Sequence, residues 1–381
     1  MTATRTAGIP SIPILDLTEQ YSRIRDEVEA AMRRVAESGS YILGPEVKEL
    51  EKEVSAYCDC RFGVGVASGT DALYLALRAL RIGNGDEVIT SPFSFIATAE
   101  AIALVGARPV FVDIDPSSNN IDPRKIKAVI TSRTKAIIPV HLYGLPCEMA
   151  SIMEIAGECR LAVVEDCAQA IGATYRGKKV GSFGAVGCLS FFPSKNLGCL
   201  GDGGMVVTND EVLAERVEYL RRHGGKTKYH HEELGVNSRL DELQAAVLRV
   251  KLRHLETWTE ARREVAHRYS RAFEGRPGIV VPEEDPESRS VFHQYTVHLK
   301  NRDNVSTLLK TAGIQTMVYY PVPLHLQTVF AGLGYERGSF PESERSAGTC
   351  LSLPMFPELK DEEQKIVIEA LSNATSPQAV E

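Results

Sequence analysis

An α/β fold, with a mostly parallel seven-stranded sheet covered by helices and a smaller C-terminal α+β domain, is what this 381-residue sequence predicts. Three observations lead there. Short apolar runs alternate with helical stretches through the first part of the chain. The hydrophobic content of 44% is enough to bury a large core. Beyond about residue 250 the rhythm changes to amphipathic helix and one longer strand-like run.

The strand-like runs are 63–66, 87–90, 110–113, 136–141, 162–166, 186–192 and 205–208. Between the first two, residues 72–80 follow Ala67-Ser68-Gly69-Thr70-Asp71 and form a helical stretch. Ser238-Arg239-Leu240-Asp241 has the spacing of a capping box opening a long helix, from Asp241 to about Glu256, with Leu240, Leu243, Val247 and Val250 as its apolar side. That helix is expected to join a large domain, 1–250, to a small one, 251–381. An amphipathic helix over 258–276 and a strand-like run over 291–299 then open the small domain. Residues 282–288 have the composition of an exposed acidic loop, and 373–381 that of a loose tail.

The chemistry centres on Lys195, in Ser190-Phe191-Phe192-Pro193-Ser194-Lys195-Asn196-Leu197-Gly198, 29 positions after Asp166 at the end of an apolar strand. This is the spacing of a pyridoxal phosphate site. A lysine amine can form a Schiff base with the cofactor aldehyde, while a buried carboxylate keeps the pyridine nitrogen protonated so that the ring accepts electrons. An ordinary surface lysine has no need of the flanking apolar strand and the glycine-rich stretch 198–204, which turns without steric cost. A cofactor phosphate needs backbone N–H donors at a helix N-terminus, and Ser68-Gly69-Thr70 provides one. Ser190 is a second candidate phosphate ligand. Phe95 suits stacking on a flat ring or packing in a core, and periodicity does not choose between them.

Gly63-Val64-Gly65-Val66-Ala67-Ser68 has only a superficial likeness to a dinucleotide fingerprint: its last position is serine, and no acidic residue closes a strand some twenty residues later. With 43 basic and 50 acidic residues, the net charge of -7 argues against a nucleic-acid surface. Basic groups around Arg221-Arg222-His223 and between Lys226 and Lys228 are available to a diphosphate. Eight cysteines without paired CxxC spacing indicate neither a zinc site nor a disulfide framework, and suit a reducing cytoplasm. His230-His231-Glu232-Glu233 places its side chains adjacent rather than convergent, so no metal is expected there. Residues 1–13 lack the pattern of a secretory signal, and no window approaches the ~20 apolar residues of a membrane span.

Gly44-Pro45-Glu46-Val47, Ser68-Gly69-Thr70-Asp71-Ala72-Leu73, Pro139-Val140-His141-Leu142-Tyr143-Gly144, Glu165-Asp166-Cys167-Ala168-Gln169, Phe191-Phe192-Pro193-Ser194-Lys195, Gly201-Asp202-Gly203-Gly204 and Asn237-Ser238-Arg239-Leu240-Asp241 together resemble the DegT/DnrJ/EryC1/StrS family. These are sugar aminotransferases of the fold-type-I pyridoxal phosphate enzymes, and the resemblance covers nearly the whole chain. It implies Lys195 as the Schiff-base lysine, Asp166 on the pyridine nitrogen, Gln169 near the ring hydroxyl and Phe95 as the stacking ring. It also implies Ser68, Gly69, Thr70 and Ser190 around the phosphate, with Asn237 reaching in from the partner of a homodimer with shared sites. Cys167 stands where the family often has alanine.

The implied reaction moves an amino group from L-glutamate to the keto group of a nucleotide-linked sugar. The motifs most resemble the 3-aminotransferases, with dTDP-3-oxo-6-deoxyhexose as first choice. UDP-2-acetamido-2-deoxy-3-oxo-glucuronate is a competitor in which Arg239 would pair with the sugar carboxylate, and amination at C4 is a further alternative. Tyr319-Tyr320-Pro321-Val322-Pro323-Leu324-His325 suits either a wall of the sugar pocket, through Tyr319, Tyr320 and His325, or an extended structural crossing. Three rival classes are weighed by residues. An amino-acid aminotransferase should carry a C-terminal arginine in a different motif context. A family dehydratase replaces the lysine by histidine, and a non-catalytic regulator would be expected to lose Lys195 or Asp166.

Overall fold

The computed structural model describes residues 11–225, 227 and 229–376. Its strands are β1 Phe62–Val66, β2 Glu87–Thr90, β3 Arg108–Phe111, β4 Thr134–Ile138, β5 Ala162–Asp166, β6 Thr174–Tyr175, β7 Lys178–Lys179, β8 Val186–Ser190, β9 Gly204–Thr208, β10 Ile279–Val280, β11 Ser288–Arg289, β12 Tyr295–Leu299 and β13 Cys350–Leu353. Seven of them make the main sheet in the order β1-β9-β8-β5-β4-β2-β3. β9 runs antiparallel to both neighbours, and every other pairing is parallel. All seven predicted strands are present.

Both faces of this sheet are covered, as a parallel sheet requires. Side chains alternate along β4: Ala136 and Ile138 join a core with Val66, Leu73 and Leu77, whereas Ile137 joins Ile89, Ile152 and Val163 in another. A third cluster lies where α2, Pro45–Tyr57, packs with Val47, Leu50 and Val54 against Leu189, Met205 and Val207. The predicted runs 136–141 and 186–192 end early, at Ile138 and Ser190. After Ile138 a single parallel bridge, Val140 to Asp166, remains, with His141 N donating to the Asp166 carbonyl at 3.1 Å, and after Ser190 the chain turns toward Lys195.

The capping box expected at Ser238 does not form. The Ser238 hydroxyl instead donates to Asp71 Oδ2 at 2.6 Å and accepts from Ala67 N at 3.0 Å, so a long-range contact takes it from the local one. The helix begins at Glu242, ends at Leu252, and a separate helix covers Leu255–Phe273. Glu242 also serves another helix: its carboxylate accepts from Glu46 N at 2.9 Å and Val47 N at 3.0 Å, capping α2, whose own N-cap, Gly44, has no side chain. A Cβ on Gly44 would stand 2.9 Å from Glu242 Cδ, so this cap requires glycine there.

The predicted run 291–299 forms a strand only over its second half, β12, which pairs antiparallel with β10 and β13. Val265, Tyr269, Val305, Leu309, Val367 and Leu371 pack on that sheet in a separate core. Ile12 belongs to the same core and bridges to Ile314. The tail expected over 373–381 is helical through Ala374, and residues 377–381 lie outside the described residues. Among the described residues, no helix is long and apolar enough to cross a membrane.

One buried network ties the central strands together. Glu165, fully buried, accepts from Gly181 N, Phe183 N and Gly184 N, each at 2.8 Å, and lies 3.2 Å from His141 Nε2. His141 Nδ1 accepts from Cys147 N at 3.0 Å, so the imidazole hydrogen sits on Nε2 and points to Glu165. With Cys167 these residues hold potential ligand atoms within 4.8 Å of one another, but the carboxylate and ring nitrogens are already engaged in hydrogen bonds. Replacing Glu165 by alanine would strand three N–H groups, one buried and two part-buried, and the expected loss is about 3 kcal/mol of unfolding free energy. Urea unfolding of Glu165→Ala against the parent checks this.

Candidate active site

The C-terminal ends of parallel strands meet at one cavity of about 400 Å³. β5 ends there with Asp166 and β8 with Ser190. α3, Gly69–Ala79, points its N-terminus into it, and the loop after β2 adds Phe95. Ser68, Gly69, Thr70, Phe95, Asp166, Gln169, Ser190, Lys195, Tyr319 and Tyr320 all line this cavity. Of the sequence-predicted site residues, Asn237, Arg239 and His325 do not.

Asp166 is buried and held by two donors. Thr98 Oγ1 donates to its Oδ2 at 2.7 Å and Ala168 N to its Oδ1 at 3.1 Å, which leaves lone-pair capacity for a further donor from the cavity. Lys195 projects from a turn closed by its own N–H donating to the Phe192 carbonyl at 2.8 Å. Burial pushes its amine down to about 8, partly opposed by the negative charge of Asp166. Gln169 is fully engaged: Oε1 accepts from Tyr143 N at 2.7 Å and Nε2 donates to the Tyr320 hydroxyl at 3.0 Å. The Tyr320 ring lies 5.9 Å, centroid to centroid, from Phe95, which is 53% exposed at the cavity mouth. Phe95 is therefore a cavity aromatic and not a core one.

A cradle for an anion is built into the backbone. A Cβ on Gly69 would fall 2.6 Å from Ser190 Cβ, and one on Gly204 would fall 2.3 Å from the Ser68 carbonyl oxygen. Glycine at both positions lets the helix terminus sit against the ends of β8 and β9. The N–H groups of Gly69 and Thr70 at the start of α3 have no intrahelical acceptor, and both residues line the cavity with Ser190. The Ser68 hydroxyl is occupied as N-cap, accepting from Asp71 N at 3.0 Å. A phosphate-bearing, flat-ringed cofactor fits this donor set: N–H and hydroxyl groups at one end, a fixed carboxylate within, an aromatic face and a buried amine.

Outside the cavity, Asn237 is exposed and bridges to Arg222, and Arg239 is partly buried. His325 is buried, with Nε2 3.1 Å from Glu344 Oε1 and its ring 4.8 Å from that of Phe340. In the segment 319–325 the two tyrosines wall the cavity, Pro321 and Val322 are exposed, and Pro323, Leu324 and His325 pack as a crossing, with Leu324 N donating to the Pro92 carbonyl at 2.7 Å. Arg221 is buried and committed to Glu51 and the Gly65 carbonyl, both at 2.6 Å, so it is not available to a diphosphate. Lys226 and Lys228 lie outside the described residues. Sequence reasoning missed Thr98, Tyr143, His293 and Gln294. The last two fall inside the strand-like run 291–299, with no motif to mark them.

A buried cation lowers stability. Because the amine is down from 10.5 to about 8 in the folded chain, the unfolded chain holds the extra proton between those values, and stability rises with pH there. The penalty is fully present below pH 8, at about 3 kcal/mol. Cofactor-free Lys195→Met is therefore expected to exceed the cofactor-free parent in stability at pH 7, with the gap closing toward pH 10.5; denaturant titrations at several pH values measure it.

Comparison with known proteins agrees with this geometry. The model of the DegT/DnrJ/EryC1/StrS aminotransferase family matches residues 22–372. The chain is 52% identical to a "pleiotropic regulatory protein" of Geobacillus stearothermophilus, covering 95% of this chain and 98% of that one. It is 50% identical to a UDP-N-acetyl-3-dehydro-alpha-D-glucosamine 3-aminotransferase of Acidithiobacillus ferrooxidans, over 93% and 95% of the two chains. It is 46% identical to a dTDP-3-amino-3,4,6-trideoxy-alpha-D-glucose transaminase of Streptomyces venezuelae, over 96% of both. The solved structure of S. venezuelae DesV superposes with a TM-score of 0.95 at 46% identity, over 96% of this chain and 99% of that one. By this coverage and identity the chain belongs to the DegT/DnrJ/EryC1/StrS aminotransferases, enzymes that work with pyridoxal phosphate.

Proposed function

We propose that this enzyme transfers an amino group from L-glutamate to the C3 keto group of a nucleotide-linked sugar, with dTDP-3-oxo-6-deoxyhexose as first choice. The observation that carries the aminotransferase site is the buried Lys195 amine sharing one cavity with Asp166 and the anion cradle at α3. What supports C3 is that two of the relatives, otherwise differing in nucleotide, are both named for chemistry at that carbon. The same pair supports a second reading in which the sugar is UDP-linked. The acidic sugar, UDP-2-acetamido-2-deoxy-3-oxo-glucuronate, would call on Arg239.

Bound in this cavity, pyridoxal phosphate would supply a carbonyl to take up the amino group and a conjugated ring to delocalise electrons. The chain's own groups do the rest in this reading. Gly69 and Thr70 N–H, the Thr70 hydroxyl and Ser190 hold the phosphate. Asp166, oriented by Thr98 and Ala168, holds the ring nitrogen's proton. Phe95 would stack on the ring, and Gln169 fixes the Tyr320 hydroxyl beside it. Lys195 holds the cofactor at rest; once displaced, Nζ takes a proton from the donor α-carbon, then returns one on the sugar side. An amine near 8 keeps a neutral fraction for that task around neutral pH.

We also propose a homodimer in which Asn237 of each subunit completes the other's phosphate site. Its exposure, and that of Phe95 and Phe192 at the cavity mouth, supports this. Within a subunit, the separate core around β12 supports a large domain over 1–250 and a small one over 251–381, with Ile12 crossing to the latter. Eight free thiols support a cytoplasmic setting.

Lys195→Ala should lose both the cofactor's visible absorption band and all transamination. Mixed with an inactive Asn237 variant under conditions of subunit exchange, it should recover part of the activity, because a mixed dimer contains one intact site; absence of recovery despite proven exchange would argue against shared sites. Side-by-side assays with 3-oxo and 4-oxo sugar nucleotides, product linkage assigned by NMR, should show glutamate-dependent amination at C3. Preference for C4 would overturn the C3 reading, preference for a UDP sugar only the nucleotide, and no amination of any sugar would favour a regulatory role.

A further inference from the structure

Several polar atoms at the cavity have no hydrogen-bond partner among the described residues, Gln294 Oε1 among them, and two bear on the lysine. The first is Lys195 Nζ. Asp166 acts on it through charge alone, and the recorded contacts of the Asp166 carboxylate are with Thr98 and Ala168. The second is Nε2 of His293, a residue 8% exposed that lines the same cavity.

The state of His293 follows from its neighbours. Asn196, directly after Lys195 in the chain, donates from Nδ2 to the Val291 carbonyl at 3.1 Å, which orients its amide. Its Oδ1 then faces His293 Nδ1 at 3.1 Å. An amide oxygen only accepts, so the imidazole hydrogen is on Nδ1 and the lone pair is on Nε2. The ring is neutral, held well below the usual histidine range by burial first and then by the charges of Lys195 and Arg262. The backbone behind it is pinned too. Arg262 Nη1 donates to the carbonyls of Phe292 and His293, each at 3.4 Å, and to that of Met355 at 3.0 Å.

We propose that His293 is a positioning residue for Lys195: both line one cavity, the two atoms are not hydrogen-bonded in this structure, and Nζ turns to Nε2 as its acceptor when the lysine is released from the cofactor. The inference rests on Lys195 being the cofactor lysine. A freed amine in this buried place needs an acceptor. In the proposed arrangement Asp166 is given to the ring nitrogen, and the Tyr320 hydroxyl already accepts from Gln169; the buried, unpartnered Gln294 Oε1 is the rival acceptor, to which an unmoved midpoint in His293→Phe would point. A neutral acceptor orients one N–H without offering a proton of its own, so it does not compete for the protons that Nζ moves. Asn196 couples the two residues, since it lies on the lysine turn and sets the histidine tautomer. Other titratable groups facing Lys195 are Asp166 from the sheet, Asp202 from the glycine-rich loop, and Tyr319 and Tyr320 from the crossing segment; Arg262 faces His293 from its helix.

Two variants separate the possibilities: His293→Gln, which keeps an acceptor at that reach, and His293→Phe, which does not. In cofactor-free protein, labelling of Lys195 by a small amine-reactive reagent is followed against pH by mass spectrometry of its peptide. A hydrogen bond to the ammonium favours the charged form, so His293→Phe should lower the labelling midpoint by roughly half to one pH unit, while His293→Gln stays near the parent. In the loaded enzyme, the glutamate and sugar half-reactions are followed separately by the visible band. Lys195 acts in both, so His293→Phe should slow both by a similar factor, on the order of tenfold, with KM unchanged.

An unmoved midpoint in His293→Phe would overturn the proposal. So would slowing confined to the sugar half-reaction, which would make His293 a sugar contact, or equal losses in both variants with a lowered Tm, which would make it structural. If His293→Phe does not fold, Asn196→Ala, which releases the tautomer, should shift the midpoint in the same direction by less, and no shift there overturns the proposal. Failure of the underlying reading is distinct, because it appears as a visible band that survives in Lys195→Ala.

Discussion

Two consecutive carboxylates at the end of a central strand organise this molecule. Successive residues of a strand point to opposite faces, so Glu165 and Asp166 turn away from each other. Glu165 binds the N–H groups of Gly181, Phe183 and Gly184, and thereby ties the loop before β8 to the end of β5. β8 is the strand that leads to Ser190 and the Lys195 turn. Asp166 faces the cavity under the hold of Thr98 and Ala168. Burying two such groups is tolerable because each is met by several donors; either one alone and unpaired would be costly.

Around that axis the site is assembled by close approach rather than by long side chains. Gly69 and Gly204 let the N-terminus of α3 touch the ends of β8 and β9, so the donors of an anion cradle come from backbone whose position the sheet sets. The lysine turn packs on the same edge. Its amine is depressed by the burial that the fold imposes, and the stability lost there is the counterpart of an amine near 8.

The far wall comes from distant sequence. Tyr319 and Tyr320 reach the cavity from the segment that crosses back over the loop after β2, and Gln169 joins them to the cofactor-facing side through the Tyr320 hydroxyl. Most of the cavity is therefore built from the main sheet and its loops, with one wall supplied by this crossing, while Asn237 and Arg239 lie outside it within the subunit.

The sequence by itself determined the seven strands, the Lys195 and Asp166 pairing and the glycine-serine-threonine terminus of α3. Each is a local property: a strand shows in a few consecutive apolar residues, and a turn or helix start in residues a few positions apart. Tertiary structure decided the rest. Ser238 had the local spacing of a cap, yet its hydroxyl went to Asp71 and Ala67, because contacts from 167 and 171 residues away met it in a better-buried place. Phe95 had no periodicity to separate core from cavity until Tyr320 was brought beside it. His325 shared a motif with the two tyrosines but was drawn into packing by Glu344 and Phe340. Thr98 and His293 left no mark in the sequence, and Tyr143 stood in a family run without a role of its own, since a hydroxyl, an imidazole or a backbone N–H becomes part of a site only when folding sets it against the group whose hydrogen bond it completes.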